Sequence, residues 1–137
     1  MATIPAFTEV AGRITIDQLV LSESGGGRYE MSGAIELAGG ELQEFGVLQS
    51  TSWLRLLEEA DRDGRRRIDA LLLIEVNGSS SFELQLAGFA EGENEDLQIA
   101  GLFRADVYGA ETASSGSFLG VMSLRGVAGS ATLTLLP

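Results

Sequence analysis

Hydrophobic and polar residues alternate along most of the chain, which is the pattern of half-buried β-strands. Residues 13–21 alternate at first, and the pattern then slips by one position around Asp17 and Gln18. Because successive side chains of a strand point to opposite faces, this slip predicts a strand with a bulge. Residues 28–37 alternate again after a glycine-rich stretch at 24–27. The two runs therefore predict a hairpin with a glycine-rich tip.

Further strands follow along the rest of the chain. Residues 67–76 are apolar on both faces, which predicts a strand covered on both sides. Asn77-Gly78 separates this run from residues 81–90, and Asn-Gly between two alternating runs predicts a tight hairpin turn. The other predicted strands are residues 42–49, 97–107, 118–127 and 131–136.

Residues 52–61 show a different period. Apolar residues recur there at three- and four-residue spacing from Trp53 to Ala60, and charged residues lie on the opposite side. A hydroxyl residue among positions 50–52 can cap the start by accepting a hydrogen bond from a free backbone N–H. The spacing predicts one short helix at residues 52–61.

Glycine recurs inside the predicted strands, in stretches such as Leu86-Ala-Gly-Phe89 and Ile99-Ala-Gly-Leu102. A glycine inside a strand marks a bend, a bulge or a close approach of two backbones, and repeated cases favour a strongly coiled sheet. The predicted fold class is mainly β: a single antiparallel sandwich or small barrel of about eight strands, with the one short helix. Residues 1–12 are predicted to form an N-terminal arm and residues 13–137 a single β domain.

The composition removes most catalytic chemistry. The 137 residues include no histidine and no cysteine, and all nine basic side chains are arginine. The chain therefore lacks the usual near-neutral acid or base, a thiolate nucleophile and the lysine of a Schiff base. A carboxylate pair drawn from Glu30, Glu36, Glu75 and Glu83 is the remaining enzymatic alternative, and their alternation with apolar residues fits solvent exposure better. We predict a protein that is not an enzyme and needs no cofactor.

The charge of the chain restricts its partners. A net charge of −11 opposes binding to a phosphate backbone, so no nucleic-acid partner is predicted. The same charge favours a cation or a protein with a basic surface. The longest apolar run, residues 70–74, is far shorter than the roughly 18 residues of a membrane helix, so no membrane insertion is predicted. No secretory signal is visible, and the expected location is the cytoplasm or an assembled particle.

One acidic stretch resembles the first half of an EF-hand loop, with Glu59, Asp61 and Asp63 at alternate positions before a glycine. The resemblance then ends, because Ala70 stands where the loop requires its closing glutamate and three arginines follow the glycine. Guanidinium groups compete with a cation for carboxylate oxygens. The pattern favours a charged turn, and the three acids are weak metal candidates in a protein for which no metal is predicted.

Three features favour a structural or assembly protein. They are the absence of histidine, cysteine and lysine, the strand at 67–76 that is apolar on both faces, and the glycine-rich strands. Its predicted partner is a second copy of the chain, in a homo-oligomer, a filament, a surface layer or a virion component. Candidate interface residues are Ile4, Phe7, Leu71, Leu73 and Glu75. The alternative is a small β-barrel that binds an apolar ligand in its interior, where inward glycines would leave room.

Overall fold

Nine antiparallel β-strands form the fold in the computed structural model, which describes residues 12–39, 42–60, 64–76, 80–92, 96–107, 114–123 and 129–136. No helix occurs within these ranges. The strands are β1 (Arg13–Gly25), β2 (Arg28–Gly39), β3 (Leu42–Leu48), β4 (Trp53–Ala60), β5 (Arg66–Val76), β6 (Ser80–Glu91), β7 (Asp96–Val107), β8 (Ser114–Ser123) and β9 (Gly129–Leu136).

The sheet closes on itself as a barrel. β1 pairs with β2 on one side and β9 on the other, and β5 to β9 pair in chain order. β3 and β4 each pair with both β2 and β5, one after the other, so together they fill one position in the wall. The eight strand positions confirm the predicted small barrel over the sandwich. If paired residues are followed from strand to strand around the barrel, the path returns to β1 roughly a dozen residues from the residue where it began. This offset in register means that the strands are strongly tilted relative to the barrel axis.

Alternate side chains along the strands point into one apolar core. β5 shows this most clearly, with Ile68, Ala70, Leu72, Ile74 and Val76 all buried on one face. Burying one large aliphatic or aromatic side chain contributes about 1.5–3 kcal/mol, so this core supplies most of the favourable free energy of folding. The largest fully buried apolar side chains are those of Phe118, Ile14, Ile16, Leu37, Leu72, Ile74, Leu84, Leu133, Leu135 and Val76.

The prediction of a helix at residues 52–61 is wrong, because Trp53–Ala60 forms strand β4. Beyond the end of β3 at Leu48, the facing edges of β2 and β5 need partners, and β4 supplies them. The hydrogen bonds that β4 forms with these two strands stabilise it more than the local helical spacing of its apolar residues favours a helix. Alternation also fits the new assignment, since Leu54 is buried inside the barrel and Arg55 is exposed outside it.

Ser52 holds the junction where β3 ends and β4 begins. Its hydroxyl accepts a hydrogen bond from the Leu73 backbone N–H at 2.9 Å, and its own backbone carbonyl accepts one from the Met31 N–H at 3.0 Å. The Leu73 carbonyl accepts from the Gln49 N–H at 2.8 Å. The serine predicted as a possible helix cap is thus a fully buried link between β2 and β5.

The predicted bulge in the first strand is confirmed. The register between β1 and β2 shifts between Asp17 and Val20, and the register between β1 and β9 shifts between Ile16 and Leu19. Gln18 lies within both shifts and has a φ of 55°, the left-handed region that non-glycine residues rarely adopt. The extra residue restores the inward position of Leu19 after the slip in the sequence pattern.

This strained position leads to a stability prediction. Gln18→Gly is expected to leave the free energy of unfolding unchanged or to raise it by up to about 1 kcal/mol, because relief of strain is offset by a more disordered unfolded chain. Gln18→Val, whose branched side chain fits the left-handed region poorly, is expected to lower it by about 1–2 kcal/mol. Urea unfolding followed by circular dichroism measures both values, and equal stability of the two variants would contradict the bulge geometry.

Both predicted hairpins are confirmed. Gly25, Gly26 and Gly27 turn the chain between β1 and β2 with positive φ angles. β5 and β6 follow one another in the chain and pair antiparallel up to Val76 and Ser80, which confirms the strand pairing of the second hairpin. Its predicted turn at Asn77-Gly78 lies outside the described ranges. Residues 1–11 of the predicted arm are also outside them. Gly12 is buried, and its carbonyl accepts a hydrogen bond from the Leu135 N–H at 2.7 Å.

Glycines inside the strands occupy inward positions. Gly88 on β6 pairs directly with Gly101 on β7, in the same row as the inward residues Ile68 and Phe118. A Cβ atom on Gly88 would lie 2.8 Å from the Gly101 Cα and closer still to the Ala100 carbonyl oxygen. The two backbones therefore approach each other more closely than side chains allow, which agrees with the predicted coiling of the sheet.

Candidate functional surface

The interior of the barrel is filled. Its central cavity measures about 10 Å³, close to the minimum for a single water molecule. The cavity is lined only by apolar residues, namely Ile16, Met31, Leu54, Ile68, Ala70, Leu72, Leu86, Ile99, Phe118, Met122, Ala131 and Leu133. The described residues therefore place the candidate functional surface on the outside of the wall.

The outer side of strands β6 to β9 carries a group of exposed apolar side chains, which we call the β6–β9 face. Cross-strand pairing brings its members together: Phe89 and Leu119 lie on either side of Ala100, and Leu102 lies beside Ala87. The large side chains of the face are those of Phe89, Leu102, Leu119, Val121 and Leu136. Contiguous apolar surface of this kind on a small protein marks an interaction site more often than chance exposure does.

The relief of this face is uneven. Leu102 is the most exposed large apolar residue, at 68%, and its cross-strand neighbour Ala87 is small. Two open hollows lie on the outer wall, and Leu102 borders one of them. One, of about 510 Å³, is bordered by Phe89, Leu119 and Val121, and the other, of about 560 Å³, by Trp53 and Leu102 among others. An exposed aliphatic side chain thus borders an open hollow on the outer wall.

Charged side chains lie at the margins of the face, and one of them, Arg65, covers the ring of Phe89. Between Arg104 and Glu91, the outward positions of β6, β7 and β8 carry no charged side chain. Arg65 lies over the Phe89 ring at 5.1 Å from its centroid, and the Arg104 Nε lies 3.4 Å from the Asp106 Oδ2. The rim therefore contains both signs of charge, while the centre is neutral in a molecule whose net charge is −11.

The candidate interface residues of the sequence fall in different places. Leu71, Leu73 and Glu75 are half-buried on the outer side of β5, and Leu71 borders the larger hollow. Glu75 Oε2 accepts a hydrogen bond from the Gln49 Nε2 at 3.1 Å, so its described partner is an amide. Ile4 and Phe7 lie outside the described residues. The structure thus brings one of the five candidates next to the β6–β9 face.

The weak metal candidates are only partly described. Asp61 and Asp63 lie outside the described ranges, and Glu59 lies in strand β4. Among the described residues, no group of three acidic side chains is placed to hold a metal ion. The described part of the chain also contains no helix long and apolar enough to cross a membrane.

The members of the β6–β9 face were not among the predicted interface residues, although a signal for them exists. Residues 86–90, 99–103 and 118–122 are apolar at both odd and even positions, unlike a strand with one wet face. The strand predicted to be covered on both faces, residues 67–76, is not one of these three segments. The merging of the three segments into one surface depends on cross-strand register, which the alternation pattern does not contain.

Comparison with known proteins supports the fold. No protein-family model matches the chain, and no curated protein sequence matches it. A solved structure of a β-barrel-like protein from Acinetobacter baumannii AYE is similar, with a TM-score of 0.53 and 13% sequence identity. The match covers 93% of this chain and 94% of that chain. At such low identity the likeness concerns the barrel fold and not its use.

Proposed function

We propose that this chain is a non-catalytic β-barrel protein that works by associating with copies of itself in a homo-oligomer. The observation that carries the proposal is the uncharged apolar surface on the outside of β6 to β9, in particular Leu102, Leu119 and Val121. Water contact with such a surface is unfavourable, and association removes it at a gain of about 25 cal/mol per Å². The non-catalytic part rests on the absence of histidine, cysteine and lysine from the chain.

The alternative function, an apolar ligand inside the barrel, has less support. The barrel fold and the inward glycines agree with it. However, ligand sites usually measure about 300–1,000 Å³, whereas the central cavity measures about 10 Å³. Neighbouring backbones fill the room beside Gly88 and Gly101, where space for a ligand was expected.

Salt should strengthen the association. Two copies with a net charge of −11 each repel one another at a distance, and added ions screen that repulsion, with a Debye length of about 10 Å at 0.1 M falling to about 3 Å at 1 M. Light scattering during size exclusion, across protein concentration and NaCl, measures the absolute mass. We expect masses above the monomer's 14.5 kDa that increase with concentration and with salt. A mass of 14.5 kDa under every condition would contradict the proposal.

A further inference from the structure

We infer that two copies of the chain pair through the β6–β9 face of each, in a two-fold arrangement in which the same surface is used on both sides. The inference rests on the proposed function and names the contact through which it operates. Three properties of the face support a second copy as its occupant: its apolar area, the placement of its charges and its relief.

The apolar area of the face matches what one standard interface needs. A specific protein contact buries about 800 Å² per partner, of which about 56–65% is apolar, or on the order of 450–500 Å². The five large side chains of the face, with exposed fractions between 42% and 68%, together offer on the order of 400–500 Å². The whole contact would occupy about a tenth of the 7762 Å² surface of the chain, the usual share for a small protein.

The charges of the face favour a copy with the same net charge. The described outward positions of β6, β7 and β8 between Arg104 and Glu91 carry no charged side chain, so two copies that meet there avoid direct opposition of carboxylates at the centre of the contact. Arg104 lies at one side of the face, and Glu91 lies at the other. In the arrangement we infer, the two-fold axis lies in the contact plane between these two margins, so Arg104 of one copy faces Glu91 of the other. The exposed apolar pair Phe45 and Val47 on β3 is a less suitable contact, because their cross-strand partners include Glu36 and Glu75.

The relief of the face is suited to pairing with itself. Leu102 is 68% exposed and borders the hollow that Leu71 also lines, and Leu119 borders a second open hollow on the same outer wall. A surface that carries both a protrusion and adjacent hollows can interlock with a rotated copy of itself, as interfaces of two-fold dimers require. A contact of this kind closes after two copies and leaves no equivalent surface for a third.

Matched substitutions test the contact. Val121 is 56% exposed on the face and Val47 is 51% exposed on β3, so Val121→Glu and Val47→Glu make the same chemical change at similar exposure in two places. We expect Val121→Glu to raise the dissociation constant of the pair at least tenfold, as measured by light scattering and sedimentation equilibrium. Val47→Glu should change it less than threefold. Far-UV circular dichroism and urea unfolding check that both variants keep the fold.

A charge-exchange pair tests the two-fold arrangement. Leu102→Glu and Leu102→Arg are each expected to remain monomeric where the parent protein pairs, and a mixture of the two should recover pairing, because residue 102 of one copy meets the same region of the other. Failure of the mixture to pair would overturn the two-fold geometry. If the parent protein associates and neither Val121→Glu nor Leu102→Glu weakens that association, the β6–β9 face is not the contact. The proposal of a homo-oligomer would then still hold. A parent protein that is monomeric throughout would overturn both.

Discussion

Gly88→Ala is expected to lower the free energy of unfolding by about 2–4 kcal/mol. In an ordinary strand position, alanine would be the more stable residue by about 0.5–1 kcal/mol, because glycine loses more backbone freedom on folding. Here a methyl carbon would lie 2.8 Å from the Gly101 Cα, well inside the separation of about 3.5–4.0 Å at which carbon atoms pack best. The atoms in the way belong to the backbone of β7, so the clash is relieved only if β6 and β7 move apart. That movement weakens the hydrogen bonds between the two strands and the packing of the core beneath them.

The measurement is urea unfolding followed by far-UV circular dichroism, with Gly64→Ala as the control. Gly64 has a φ of 79° and open space around its Cα, so its substitution tests strain without a clash and is expected to cost about 1–2 kcal/mol. Gly88 has no such angle, and its loss of stability would come from the close approach alone. A Gly88→Ala protein as stable as the parent would show that the two strands do not approach as closely as described.

Ser52→Ala is expected to lower the free energy of unfolding by about 1–3 kcal/mol. The serine is fully buried, and its hydroxyl is the acceptor for the Leu73 backbone N–H at 2.9 Å. Without the hydroxyl, this N–H is left in the wall of the barrel with no acceptor, and a buried donor without a partner costs the free energy of its lost hydration. The loss falls at the junction of β3 and β4, where β2 and β5 have no regular ladder between them.

Ser32→Ala is the matched control, because Ser32 is exposed on β2 and its substitution removes the same hydroxyl. Its effect is expected to stay within about 0.5 kcal/mol, the usual range for surface substitutions. Chemical denaturation of both proteins under identical conditions gives the comparison. Equal effects of the two substitutions would mean that the Ser52 hydroxyl is not needed at the junction.

The strand pattern of this chain was largely accessible from its sequence. Each of the eight predicted strands overlaps an observed strand, and the bulge at Gln18 was visible as a slip in the alternation. Both features are local, since a strand's side chains alternate whatever lies next to it. The inward glycines were visible too, but their effect was not, because it depends on Gly88 of one strand meeting Gly101 of the next.

Residues 53–60 show where local pattern is insufficient. Their apolar residues fit a helix, and they also contain the short alternation in which Leu54 is buried and Arg55 is exposed. Short apolar segments fit either period, and the choice between them follows from the surroundings. Residues 53–60 form a strand because they pair with the edges of β2 and β5 that β3 leaves unpaired beyond Leu48. These edges belong to other parts of the chain, so the sequence of β4 alone does not reveal them.

The β6–β9 face shows the same limit for a candidate site. Its residues come from four strands, and the contacts between Phe89, Ala100 and Leu119 follow from register. The absence of histidine, cysteine and lysine, on which the proposal of a non-catalytic role rests, is visible in the sequence without the structure.

By itself, the sequence determined the class of fold, the approximate positions of eight of the nine described strands, the bulge and the acidic charge of the molecule. Alternation and composition are enough for these, because they are properties of neighbouring residues. The tertiary structure decided that the sheet closes as a barrel, that residues 53–60 form a strand, that the interior is filled and that one outer face is apolar. These outcomes depend on hydrogen bonds and packing between residues far apart in the chain, such as β1 with β9. Such pairings form only when the whole wall is assembled. The backbone N–H and C=O groups at the edge of a strand gain hydrogen-bond partners only when closure of the barrel brings the neighbouring strand to them.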